Sequence, residues 1–115
     1  MKVSKKTRAR HRMILVLDRA CRERVFLRDN FSCVRCGSKD NIQWCHVVSR
    51  RHLHLRWQDD NSFTGCAGCH IFWHGEPILA IDWFAKSFPE RHAMLMKAAP
   101  MYAKVNIREL YEALG

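Results

Sequence analysis

Two Cys-x-x-Cys pairs, Cys33/Cys36 and Cys66/Cys69, constrain this chain more than anything else in it. Such a turn offers two thiolates at the bite a tetrahedral zinc ion needs, and two turns complete its four ligands. A shared ion ties two distant segments together, so its binding energy becomes part of the folding energy. With 115 residues, the chain has room for one small domain and a modest core, which a structural metal would reinforce. Four of the six cysteines fall in these pairs, which favours metal over disulfides and a reducing compartment. The site would be closed, and so structural. The alternative is four reduced thiols without a metal.

The charge balance points to a partner. Twenty Lys and Arg stand against eleven Asp and Glu, a formal net charge of +9. That excess suits a polyanion, most often nucleic acid, without separating DNA from RNA. A basic solvated surface with no partner is the competing explanation. Hydrophobic residues make up 48% of the chain, so it is not a disordered chain. The apolar run Met13–Leu17 ends at Asp18 and is too short to span a membrane. Arg19, Arg22 and Arg24 follow it, and no small-residue cleavage site is evident. No membrane association and a cytoplasmic location are expected.

Residues 1–12 carry Lys2, Lys5, Lys6, Arg8, Arg10 and Arg12 and no acid, which reads as a flexible basic arm touching phosphates; an ordinary frayed terminus is the alternative. Residues 13–28 read as a helix, with Ile14, Leu17, Cys21 and Val25 at helical spacing. Asp29-Asn30 ends it, and Gly37 supplies a turn after the first cysteine knuckle. Ile42 to Val48 and Asn61 to Thr64 are strand candidates, separated by a basic loop holding Arg50, Arg51, His52, His54 and Arg56. The second knuckle runs into a short helix stopped by Gly75. Pro77 and Pro89 open helices over about 77–87 and 89–99. Asn106 with Glu109 caps a last helix ending near Leu114. Trp83, Phe84, Phe88, Leu95, Leu110 and Leu114 are core candidates. The layout is thus a core over 29–75 and a helical tail over 76–115.

Chemistry concentrates around the second knuckle. His70 and His74 are four residues apart, so on a helix they face the same way and can share one metal. A plain pair of buried or surface histidines has the same spacing. His46, in the first strand, is of a type that takes a proton from water near neutral pH, and it could equally be structural. The Asn61 carbonyl could accept from one ring nitrogen of His46 and leave the other free as base; otherwise Asn61 is a turn residue.

The order Cys-x-x-Cys-Gly, His46, Asn61, Cys-x-x-Cys-His resembles the HNH endonucleases, over about residues 28–75. The stretch His46-Val47-Val48-Ser49-Arg50-Arg51, then Arg56-Trp57 and Asn61, looks most like small bacteriophage-encoded members. The resemblance implies an α+β fold. Its nuclease core would be a ββα-metal (His-Me finger) unit, stapled here by zinc on Cys33, Cys36, Cys66 and Cys69. An N-terminal helix and C-terminal helices would flank that core. It further implies His46 as general base, Asn61 as its orienter and His70 as catalytic metal ligand. His74 matches the second metal histidine of colicin-type members. Many relatives carry Asp or His just before the base, as a further ligand. Cys45 stands there instead, either as a ligand or as a buried free thiol. A thiolate suits zinc and serves magnesium poorly, and strand neighbours point to opposite faces.

The implied activity is metal-dependent hydrolysis of DNA phosphodiesters, by nicking or double-strand cleavage, leaving 5′-phosphate and 3′-hydroxyl ends. Its cofactors would be the structural zinc and a catalytic Mg2+, Mn2+, Ni2+ or Zn2+. Arg50, Arg51 and Arg56, with Lys5, Lys6 and Arg8 of the arm, would hold phosphates. Two competing expectations are a non-catalytic basic zinc module that binds nucleic acid, and a recombination nuclease for branched DNA. A phage-infected host would be the setting. A homodimer and a phage packaging or recombination partner are left open.

Overall fold

The computed structural model describes residues 3–115; Lys2 of the expected basic arm lies outside them. Among the described residues, six helices surround a two-stranded antiparallel sheet, an α+β arrangement. Helix α1 spans Lys5–Arg28, much longer than its sequence stripe suggested. The remaining elements are β1 (Ile42–His46), α2 (Leu53–Arg56), a 3-10 turn (Asp59–Asn61), β2 (Ser62–Cys66) and α3 (Ala67–Gly75), then α4 (Pro77–Ser87), α5 (Pro89–Ala98) and α6 (Ile107–Ala113).

The flexible arm is thereby corrected: Lys5, Lys6, Arg8, Arg10 and Arg12 belong to the first turns of α1. The reason is local. Lys, Arg and Ala are good helix formers, and the Ser4 hydroxyl caps the helix by accepting from the Thr7 N–H at 3.1 Å. These side chains are exposed. Leu17, Cys21 and Val25 are buried as their spacing predicts, and Asp18 is buried beside them.

Strand β1 pairs with β2 from Ile42↔Cys66 to His46↔Ser62. It stops two residues short of Val48 because Asn61 takes over the ladder. The Val47 N–H donates to the Asn61 main-chain carbonyl at 2.8 Å, and the Val48 N–H donates to Asn61 Oδ1 at 2.8 Å. Strand β2 in turn runs on to Cys66, so the second knuckle begins at the end of the strand. The first knuckle docks on the same strand, Val34 N–H donating to the Thr64 carbonyl at 3.0 Å. Gly37 has φ +81°, the left-handed turn expected of it. At Gly65 a side chain has no room: a Cβ would lie 2.9 Å from Cys45 Sγ.

The core lies between the sheet and the helices that follow it. Phe63 of β2 meets Trp73 of α3 at 5.0 Å and Trp83 and Phe84 of α4 at 5.6 and 6.0 Å between centroids. Phe84 and Leu95 are fully buried, so α4 and α5 close the hydrophobic side of the sheet. Arg91 of α5 donates to the Ser62 carbonyl at 2.7 Å and fixes the start of β2. Leu110 and Leu114, expected in the core, are exposed; α6 packs on α1 and buries Ile107 instead. No described helix is long and apolar enough to cross a membrane.

Candidate functional site

The sulfurs of Cys33, Cys36, Cys66 and Cys69 all lie within 4.8 Å of one another. In a zinc tetrahedron with Zn–S near 2.3 Å, sulfurs stand about 3.8 Å apart. The Cys36 and Cys66 sulfurs are 3.6 Å apart already. All six cysteines are free. This group can hold a structural metal ion such as zinc. Its sulfurs also accept N–H bonds, from the Cys69 main chain to Cys66 at 3.4 Å and from Arg35 to Cys69 at 3.4 Å. Burial raises the Cys33 thiol, but the N–H groups of Cys36, Cys66 and Arg35 outweigh it and lower its pKa.

A separate cleft of about 1020 Å³ opens on the other side of β1. His46, His70 and His74 line it, with Trp44, Trp73, Arg50, Arg51 and Arg56 among its walls, and none of the four cysteines does. His46 ends β1 and its ring packs against Trp44, two residues back on the same strand face, with centroids 4.1 Å apart. His46 Nε2 stands 3.1 Å from the Arg56 carbonyl. A carbonyl only accepts, so this contact puts the ring proton on Nε2 and leaves Nδ1 as the basic nitrogen. Burial, ahead of the neighbouring arginine charges, lowers the His46 pKa to about 4. The ring is therefore neutral at pH 7.

Helix α3 supplies the other two rings. Its N-cap is Cys66, so a metal held by the four cysteines would fix the turn from which His70 and His74 project. Their Nε2 atoms face each other at 2.9 Å. Gln43 Oε1 accepts from His70 Nδ1–H, which leaves His70 Nε2 unprotonated and available to a cation. Burial, then the His74 charge, lowers the His70 pKa. Two imidazole nitrogens so placed fit one divalent ion of the transition series. Gln43→Leu is expected to weaken binding of a second metal about 10–100-fold, the usual loss when a ligand histidine loses its outer partner. Calorimetric titration of Ni2+ or Mn2+ into zinc-loaded protein would check this.

Three expected site residues sit elsewhere or act differently. Cys45 faces the core, 1% exposed, packed with Phe63 and Trp73. Burial raises its thiol to about 12. It is therefore the buried free thiol, because β1 stays a regular strand and its neighbour His46 takes the cleft face. The Asn61 side chain makes no hydrogen bond to His46. Its Oδ1 accepts from Val48 N–H, and its Nδ2 donates to the Val48 and Leu55 carbonyls at 3.0 and 3.1 Å. It is 0% exposed and staples the loop from which the Arg56 carbonyl reaches His46. Asn61→Ala leaves three buried groups unpaired, at a cost of about 2–4 kcal/mol. Denaturant unfolding of the two proteins measures it, and a difference under about 1 kcal/mol would contradict the staple.

Arg56 is not a free phosphate ligand, because its fork is already occupied. Its Nε and Nη2 donate to the two Asp18 oxygens at 2.9 and 2.7 Å. Arg50 and Arg51 are exposed on the cleft wall, whereas Lys5, Lys6 and Arg8 do not line it. Gln43, Trp44 and Asp18 were missed in the sequence. Asp18 alone carried a readable signal: it is an acid on the apolar stripe of α1, and such a group needs a buried partner.

No family model, curated protein or solved structure matches this chain.

Proposed function

We propose that this protein is a metal-dependent DNA endonuclease of the HNH type, with β1, β2 and α3 as its ββα-metal core. The observation that carries the reading is the cleft that gathers His46, His70 and His74 beside Arg50 and Arg51. The sequence order resembling the family and the net charge of +9 support it.

His70 and His74 would hold the catalytic ion, and Mg2+, Mn2+, Ni2+ or Zn2+ bound there supplies Lewis acidity to a scissile phosphate. With Cys45 in the core, the protein ligands are two imidazoles, a set that favours Ni2+ or Zn2+ over Mg2+ and Mn2+. Arg50 and Arg51 bind flanking phosphates. His46 Nδ1 takes the proton of a water in line with the leaving 3′-oxygen. The water oxygen bonds phosphorus, the P–O3′ bond breaks, and the 3′-oxygen takes a proton from solvent. The ends are a 5′-phosphate and a 3′-hydroxyl. Nicking of supercoiled plasmid across these four metals tests the reading, and no cleavage in any of them would sink it.

One observation favours a second reading, a basic zinc module that binds nucleic acid without cutting it. Among the described residues, His70 and His74 are joined by no third His, Cys, Asp or Glu ligand. Duplex binding with a single zinc per chain and no second metal would establish the module. A preference for a Holliday junction or flap over linear duplex would instead mark a recombination nuclease.

A further inference from the structure

We infer that Asp18 is a positioning residue for His46, acting through Arg56 from a helix that lies outside the motif region. Asp18 is 8% exposed and accepts three bonds. Two come from the Arg56 fork at 2.9 and 2.7 Å, and the third from the Trp57 indole at 2.8 Å. Burial raises the carboxyl pKa, but the Arg56 and Trp57 donors outweigh it and lower it below the usual range. Asp18 is thus an anion that grips two consecutive residues at the end of α2. The main-chain carbonyl of the first of them, Arg56, accepts from His46 Nε2. A carbonyl at a helix end has no partner within the helix, and here His46 is that partner.

A purely architectural role does not account for the arrangement, because α1 is fastened to the same loop by other side chains. Arg24 pairs with the Asp59 carboxylate at 3.0 Å. Arg28 donates to the Asp59 and Ser62 carbonyls at 2.7 and 2.8 Å. Those clamps hold the 3-10 turn and the start of β2. Among the described residues of α1, only Asp18 hydrogen-bonds the side chains of the pair Arg56-Trp57. Its loss frees the Arg56 carbonyl to swing and lets the His46 proton move to Nδ1. That tautomer cannot serve as base at Nδ1.

The consequence for cleavage rests on the endonuclease reading; the consequence for the ring does not. The experiment uses the zinc-loaded full chain with 15N-labelled histidine, and compares the parent with Asp18→Asn, Asp18→Ala and Arg56→Lys. In the parent, the nitrogen shifts of His46 should show the Nε2–H tautomer alone. In Asp18→Ala and Arg56→Lys, an Nδ1–H fraction should appear, with Asp18→Asn intermediate because it keeps an acceptor for Trp57. With plasmid substrate, kcat should fall about tenfold at unchanged KM, part of the roughly 10²–10⁴ that a positioned base supplies. A His46 that stays wholly Nε2–H in folded Asp18→Ala would overturn the inference. If that variant does not fold, the same result in Asp18→Asn and Arg56→Lys decides against it. A parent that cuts nothing would count against the endonuclease alone, since the tautomer is read without cleavage.

Discussion

His46→Ala is expected to abolish plasmid cleavage, with a fall in kcat of about 10²–10⁴, the span a positioned general base contributes. The expectation follows from the state of the ring. A histidine protonated at neutral pH could not accept a proton, but burial lowers this one to about 4. A histidine with both nitrogens bonded could not accept one either, but here the Arg56 carbonyl engages only Nε2. Trp44 bounds the ring on one side. The alanine variant should keep its zinc, its affinity for DNA and a KM near the parent's, because Arg50, Arg51, His70 and His74 are untouched. Steady-state kinetics with metal analysis on one preparation would separate these quantities. Cleavage by His46→Ala at the parental rate would remove His46 from the reaction.

Whether a residue's role could be read in the sequence depended on how local its contacts are. The cysteine pairs were readable because ligand type and bite sit within four residues, and the sulfurs do come together. The His70/His74 pair was readable for the same reason, one helical turn being a fixed geometry. Cys45 was decided by strand alternation: once β1 forms and His46 takes the cleft, its neighbour must enter the core. Asn61 defeated the sequence reading because an amide has four bonding sites and the chain does not say who fills them. The loop main chain fills three. Arg56 looked like a phosphate ligand because its partner, Asp18, is 38 residues away on another element. The helical start of α1 was within reach of local reasoning, since its cap and its helix formers are adjacent in sequence. Charge density alone suggested disorder there.

Removing the structural metal is expected to unfold the domain at room temperature, whether by a strong chelator or by Cys33→Ser. Apparent binding energies of structural zinc, about 10–16 kcal/mol at neutral pH, match or exceed the whole stability of a small domain, about 5–15 kcal/mol. The loss would not stay local. A metal on the four cysteines would join the first knuckle, which docks on β2 through Val34, to the end of β2 and the first turn of α3. Cys66 is the N-cap of α3, and its sulfur accepts the Cys69 N–H. Without a cation, four sulfurs within 4.8 Å of one another cannot all stay thiolates. Burial already pushes the Cys69 thiol up to about 12, so the group takes up protons, the tie between the knuckles is lost and that cap opens. His70 follows Cys69 directly, so the cleft loses its second wall even though chelation never touched it. Circular dichroism melts with and without chelator, alongside zinc release measured by a colorimetric dye, give the result. One zinc per chain released together with the cooperative transition is the expected outcome. A chelated protein, or Cys33→Ser, that melts cooperatively at the parental temperature would mean that the four thiols form a core cluster rather than a metal centre, and α3 would then owe its position to Trp73 and Phe63 alone.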